Sequence, residues 1–372
     1  ILDELERNSF VVIPDVISNT ECNKFIKEYR EWYGNFKGKR REFLRQRQSV
    51  VQNFWVGHLE ASWKIRLKVK PIFEKIWETT QLLTSVDGVA ISAPPEEETE
   101  GFNMKNPEFR SETDSWLHLD QGKSRVGRHA IQGAVYLETS SSDDYCFRVM
   151  KGSENYHREF LNKMRPNIEP NTTFIKLKPH EISWFEERGC ETTFVEVPKG
   201  GMILWDSRTV HDNLPPRRGR SSGNRWRHVC FVTMTPAKWA GPEDLEVKKR
   251  MYNERLMSSH WASQGIKILA SACWVPGHLT VDQKHTRRTA LRANLNLEFV
   301  SEILSLFFKE TKHHHFTPEA KLQSKQWKHP GSPRPKKAKT VLQWEGYGPG
   351  FLGCRRYSAD ILSPKGQTLN GT

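Results

Sequence analysis

Apolar residues recur at a spacing of two in several short runs, each closed by glycine, proline or asparagine. That period belongs to half-buried strands. Residues 10–13 (FVVI) form one such run, ended by Pro14. Residues 131–138 (IQGAVYLE) alternate cleanly and place Gln132, Ala134 and Tyr136 on one face. Residues 225–234 (RWRHVCFVTM) set Arg225, Arg227, Val229, Phe231 and Thr233 on one side of a further strand. Shorter strands are expected at 146–149 and, after a turn, at 89–91. The runs 192–197 and 202–205 are expected to pair as a hairpin around Pro198-Lys199-Gly200-Gly201. A helical period appears at 21–32, where Phe25, Ile26 and Tyr29 share a side behind the cap Ser18-Asn19. Others are expected at 63–79, with Pro71 kinking or breaking it, at 152–160, 179–189 and 245–256, and at 294–308. Residues 261–275 fit neither period.

Short strands separated by turns and flanked by helices predict a mainly β chain with helical support. The expected architecture is a double-stranded β-helix, a cupin-like jelly roll. One domain is expected over 1–310, with the jelly-roll core at about 85–236. Beyond residue 311 periodicity is lost, and the Lys-, Pro- and Ser-rich stretch 311–372 is expected to be disordered.

Charge refines this division. The net charge of +13 is concentrated in 311–372, with 11 Lys/Arg against 3 Asp/Glu, and in 36–48, with six basic residues against one acid. The remainder is close to neutral, which argues against a catalytic core built on nucleic acid; any such partner is expected through the tail alone. The six cysteines show no CxxC spacing, which speaks against a zinc or disulfide framework and for a reducing compartment. Cytoplasmic placement is expected, with nuclear import as the alternative carried by the basic run 333–339. No apolar run approaches the roughly 18 residues of a membrane span. Nothing in the pattern indicates an oligomeric state.

Candidate chemistry centres on residues 200–213, GGMILWDSRTVHDN, where His211 stands just past an apolar strand. About ninety residues upstream lies Trp116-Leu117-His118-Leu119-Asp120. Positions i and i+2 of a strand face the same way, so His118 and Asp120 can reach one metal together. Two imidazoles and one carboxylate, with positions left open, form the facial triad of non-haem Fe(II) oxygenases. His129, His157, His180 and His228 stand outside this pattern and read as packing or surface residues.

With HLD, WDSRTVHDN and a following strand arginine in place, the chain resembles the phytanoyl-CoA dioxygenase family of Fe(II)/2-oxoglutarate oxygenases. The likeness spans about residues 1 to 265 and includes FVVIPDVIS, SVDGVAI, FRVMKGSENYH and Ser259-His260-Trp261. It departs from the family at Glu154, where histidine is frequent, and in the long basic loop 215–224. The resemblance implies that His118, Asp120 and His211 bind Fe(II), and that Arg227 pairs with the distal carboxylate of 2-oxoglutarate; Arg225 shares its parity and stays open as the alternative. Asn213 and Gln132 are placed to hydrogen-bond the cosubstrate. Halogenases on this scaffold carry a small residue at the aspartate position, so Asp120 favours hydroxylation, with O2 consumed and succinate and CO2 released. The implied substrate is a small or lipid-like organic molecule. The alternatives are a catalytically silent jelly-roll binding protein and an oxygenase acting on nucleic acid.

Overall fold

The computed structural model describes residues 1–36, 50–52, 54–96, 109–111 and 115–269. The basic residues 37–48, the expected helix 294–308, and the tail 311–372 with its import-like run lie outside the described residues. In the N-terminal part come α1 (Leu2–Asn8), β1 (Phe10–Ile13), α2 (Asn19–Gly34), β2 (Val50–Val51), α3 (Glu60–Trp77), β3 (Leu82–Thr84) and β4 (Val89–Ser92). Then follow β5 (His118–Leu119), β6 (Ile131–Tyr136), β7 (Cys146–Lys151), α4 (Ser153–Lys163), β8 (Ile175–Lys176), α5 (Pro179–Glu186) and β9 (Glu191–Val195). The chain continues through β10 (Met202–Asp206), β11 (His211–Leu214), β12 (Arg227–Pro236), α6 (Pro242–Glu254), β13 (Met257–Ser258) and β14 (Ile268–Leu269).

Two antiparallel sheets form a jelly roll. The larger has the order β1-β10-β6-β12-β4-β2, with β3 on the far end of β12; the smaller runs β8-β5-β11-β7-β9. Alternation along each strand sorts the side chains into layers. Ala134, Tyr136, Ile203, Trp205 and Val229 of the larger sheet meet Phe147, Val149 and Val195 of the smaller one in the interior. Their neighbours Ile131, Val135, Met202, Leu204, Cys230 and Val232 point the other way and pack under α2 and α3. Leu117, Leu119, Met150 and Val210 leave the smaller sheet on its outer side and pack with Phe160 of α4 and Phe185 of α5. The Ser18 hydroxyl accepts from Glu21 N and the Glu21 carboxylate accepts from Ser18 N, a capping box that starts α2 at its expected place.

Four expectations need correction. Residues 192–197 and 202–205 do not form a hairpin: β9 pairs with β7 in the smaller sheet, whereas β10 pairs with β1 and β6 in the larger. Strand β10 is buried on both faces, which a central position in the larger sheet provides and an edge hairpin would not. The linking turn needs Gly200, at φ 79°, because an added Cβ would stand 2.0 Å from the Ile17 carbonyl oxygen. Pro71 does not break α3. It sits on the exposed side, while Val69, Phe73 and Ile76 keep the helix docked on both sides of it; docking outweighs the lost hydrogen bond. His211 is not in a loop but opens its own strand, β11. Finally, β12 starts at Arg227, so Arg225 precedes the strand and the shared-parity argument does not apply to it.

Candidate metal centre

Strand pairing builds the centre. Strands β5 and β11 run antiparallel with His118 directly opposite His211, and their ring centroids stand 4.4 Å apart. Asp120 comes directly after β5, two residues on from His118. His118 Nε2 lies 3.6 Å from Asp120 Oδ1 and His211 Nε2 lies 3.5 Å from Asp120 Oδ2. One ligand atom from each of the three lies within 4.8 Å of the others. Neighbouring donors around an ion with bonds of about 2.1 Å stand about 3 Å apart, so a small contraction would complete a shared ligand sphere.

Hydrogen bonds outside this sphere select the tautomers. His118 Nδ1 lies 3.1 Å from the Trp116 carbonyl and His211 Nδ1 lies 2.9 Å from the Thr209 carbonyl. A carbonyl can only accept, so both Nδ1 atoms carry the proton and both Nε2 lone pairs face the centre. His211 is further held through its neighbours. Val210 N donates to Ser153 Oγ at 2.9 Å, and Asp212 accepts from Trp116 N at 3.1 Å and from Arg148. Burial, with His211 beside it, pushes the His118 imidazole down to about 3. Burial alone would raise the Asp120 carboxyl, but the surrounding His260, His118 and His211 hold it below the usual carboxylate range. A neutral His118 imidazole beside an ionised Asp120 carboxylate suits a divalent cation.

The other expected residues lie along the same interior. Gln132 Nε2 donates to Asp120 Oδ2 at 2.9 Å, while its buried Oε1 has no hydrogen-bond partner among the described residues. Tyr136 stands four residues along β6, about 13 Å away at the strand rise. It faces Arg227 and Asn213, and burial raises its phenol to about 12 against the pull of that guanidinium. The buried Asn213 amide lies beside the Tyr136 hydroxyl. Arg227 is buried, with Val229 two residues on in register with Tyr136. Arg225 is instead paired with Asp144 at 2.5 Å, and Arg220 joins Asp144 and Glu96 at 2.9 and 3.0 Å. These ions hold the basic loop against the far end of the barrel.

Four residues that the sequence left without a role are drawn in. Tyr136 had a readable signal, since it shares the inward parity of Gln132. Trp116 stacks on the His118 ring at 4.7 Å and 12°, and Phe174, 41% exposed, lies 4.7 Å from the same ring; no local pattern announces either contact. His260 lies 4.0 Å from Asp120. Asp206 and Arg208 form an ion pair that also engages Arg128, and Glu154 is buried against Ser9 Oγ at 2.9 Å.

A profile of the phytanoyl-CoA dioxygenase (PhyH) family matches residues 5–217, more than half of the chain. The chain belongs to this family of Fe(II)/2-oxoglutarate-dependent oxygenases. It is 26% identical over 289 residues to Ava biosynthesis cluster protein O of Aspergillus versicolor, covering 73% of this chain and 88% of that one. Among solved structures it is similar to EctD from S. alaskensis with 2-oxoglutarate and 5-hydroxyectoine (12% identity, TM-score 0.42, 63% of this chain and 75% of the other). It is also similar to the non-haem α-ketoglutarate-dependent epimerase SnoN from nogalamycin biosynthesis (13%, TM-score 0.38, 63% and 81%). The family's cofactors, Fe(II) and 2-oxoglutarate, suit the donor set: three convergent bases for the metal, with the buried amides of Gln132 and Asn213 along the same interior.

Proposed function

We propose that this chain is a 2-oxoglutarate-dependent hydroxylase of a small or lipid-like organic molecule. The carrying observation is the convergence of His118, Asp120 and His211 within 4.8 Å at one end of an interior that has Arg227 and Tyr136 deeper in. In this reading His118, Asp120 and His211 hold the iron. Arg227 receives the distal carboxylate of 2-oxoglutarate, with the Tyr136 hydroxyl beside it. A planar guanidinium pairs a carboxylate with two parallel hydrogen bonds, and burial strengthens them. Asn213 and Gln132 hydrogen-bond the cosubstrate. Bound iron, with 2-oxoglutarate and O2, supplies the oxidising power that replaces a C–H hydrogen with hydroxyl.

The chain's own part is to present bare Nε2 atoms, keep Asp120 ionised and exclude water. Asp120 supplies a third protein ligand where a halogenase keeps a gap, which supports hydroxylation. Trp116 and Phe174 offer an apolar rim beside His118. That rim, and a relative named for a biosynthesis cluster, support an organic substrate.

The test begins with metal-stripped protein given Fe(II) and 2-oxoglutarate. Succinate should form slowly even without substrate, and Asp120→Ala should abolish it. Mass spectrometry of metabolite extracts under labelled O2 should then show one compound gaining an oxygen atom. Succinate release without oxygen gain would replace hydroxylation by another oxidative outcome; no succinate at all would leave a silent binding protein.

A further inference from the structure

His260 reaches the centre from outside both sheets. It follows β13, which is stitched to the residue before Asp87: Ser258 Oγ accepts from Val86 N at 3.0 Å, and Ser258 N donates to Val86 O at 2.9 Å. The next residue, Trp261, is equally constrained. Its ring lies 4.3 Å from the His260 ring and 3.7 Å beneath the Arg125 guanidinium, which donates to the Gln264 carbonyl at 3.0 Å. The imidazole is therefore presented by a braced segment and is 9% exposed. Its Nδ1 stands 4.0 Å from Asp120 Oδ2, the oxygen that already accepts from Gln132. Its Nε2 is buried with no hydrogen-bond partner among the described residues.

We propose that His260 is a positioning residue whose Nδ1–H, together with the Gln132 amide, sets the orientation of the Asp120 carboxylate for metal binding. The inference rests on the metal-centre reading above. Of the two neutral tautomers, the one with the proton on Nδ1 points a donor at an anion; the other would set a lone pair against it. At 4.0 Å the contact is longer than a closed hydrogen bond, and a slight turn of the carboxylate or one bridging water joins the pair. Groups that orient a metal-binding side chain typically influence metal affinity 10- to 100-fold.

The experiment titrates metal-free full-length chain with Co(II), a visible-absorbing substitute for Fe(II), and records its ligand-field spectrum. His260→Asn places an amide N–H at the Nδ1 position and should keep affinity within a few-fold of the unaltered chain. His260→Leu removes the donor, and His260→Gln carries it one bond too far. Both should bind at least about tenfold more weakly, with a shifted spectrum. Urea midpoints of the metal-free proteins report packing separately, and if leucine prevents folding the Asn–Gln contrast decides alone. Equal affinity across Asn, Leu and Gln overturns the proposal, as does an Asn loss as large as that of Leu or Gln. Absence of Co(II) binding by the unaltered chain would instead overturn the metal-centre reading itself.

Discussion

Two buried charged clusters in this protein are built on opposite principles. In the helical layer, Arg66 of α3 donates to the Gly57 and Asp87 carbonyls at 2.5 and 3.3 Å and stacks over the Trp63 ring. Lys248 of α6 donates to the Thr84 carbonyl. The Asp87 carboxylate accepts from Gly88 N and Gln52 Nε2 at 2.7 and 3.0 Å. Donors meet acceptors there, and the charges act as joints between helices and sheet. At the metal centre the groups that meet are all acceptors: two bare Nε2 atoms and a carboxylate. Three electron-pair donors aimed at one point repel unless a cation sits among them. One cluster pairs its charged groups with acceptors and donors of its own chain; the other turns three acceptors toward one point.

The largest effect that tests this contrast is on stability. Arg66→Met should lower the unfolding free energy by about 3 kcal/mol or more, because the buried Gly57 and Asp87 carbonyls lose their charged donor. It should appear as a lower urea midpoint, while the metal affinity of the folded fraction stays unchanged. Asp120→Asn should do the reverse. Metal affinity should fall at least about 100-fold, while metal-free stability changes little. Saturating metal at about 100 times its dissociation constant should add roughly 2.7 kcal/mol to the unaltered chain and to Arg66→Met, but no more than about 0.4 kcal/mol to Asp120→Asn.

The arginines give a smaller contrast. Arg227→Lys should raise the KM for 2-oxoglutarate about tenfold, since one ammonium cannot replace a planar fork. Arg225→Lys should leave that KM nearly unchanged, because Arg225 is engaged with Asp144.

The smallest effect concerns pH. Burial pushes His58 and His228 down to about 3, so each takes up its proton at about 6.5 when unfolded and far lower when folded. Stability should therefore fall as pH drops below about 6.5, by about 1 kcal/mol per histidine between about pH 7 and 5.5. Urea midpoints across that range measure it, and His228→Phe should remove one share. Neither residue lies in the metal centre, so this loss should be equal in Asp120→Asn.

Strand character, the inward face of β6 and the shared side of His118 and Asp120 were legible because each rests on local spacing. The alternation of Gln132, Ala134 and Tyr136 survives whatever sheet the strand joins, and HxD puts two ligands on one side of any extended segment. The errors arose where a local signal met a distant partner. A glycine-bearing turn between two strand-like runs reads as a hairpin until β9 and β10 are claimed by different sheets. A proline reads as a break until Val69, Phe73 and Ile76 dock around it.

The chain by itself determined which residue types can hold a divalent metal, which segments extend and where charge collects, since these follow from side-chain chemistry and periods of two or 3.6 residues. Only the tertiary structure decided that His118 stands opposite His211, that Arg225 is tied to Asp144 while Arg227 faces Tyr136, and that His260 comes within 4.0 Å of Asp120. Those facts depend on pairing register and on contacts between residues as many as 140 positions apart, and a one-residue slip in register would turn the same side chains to the opposite face.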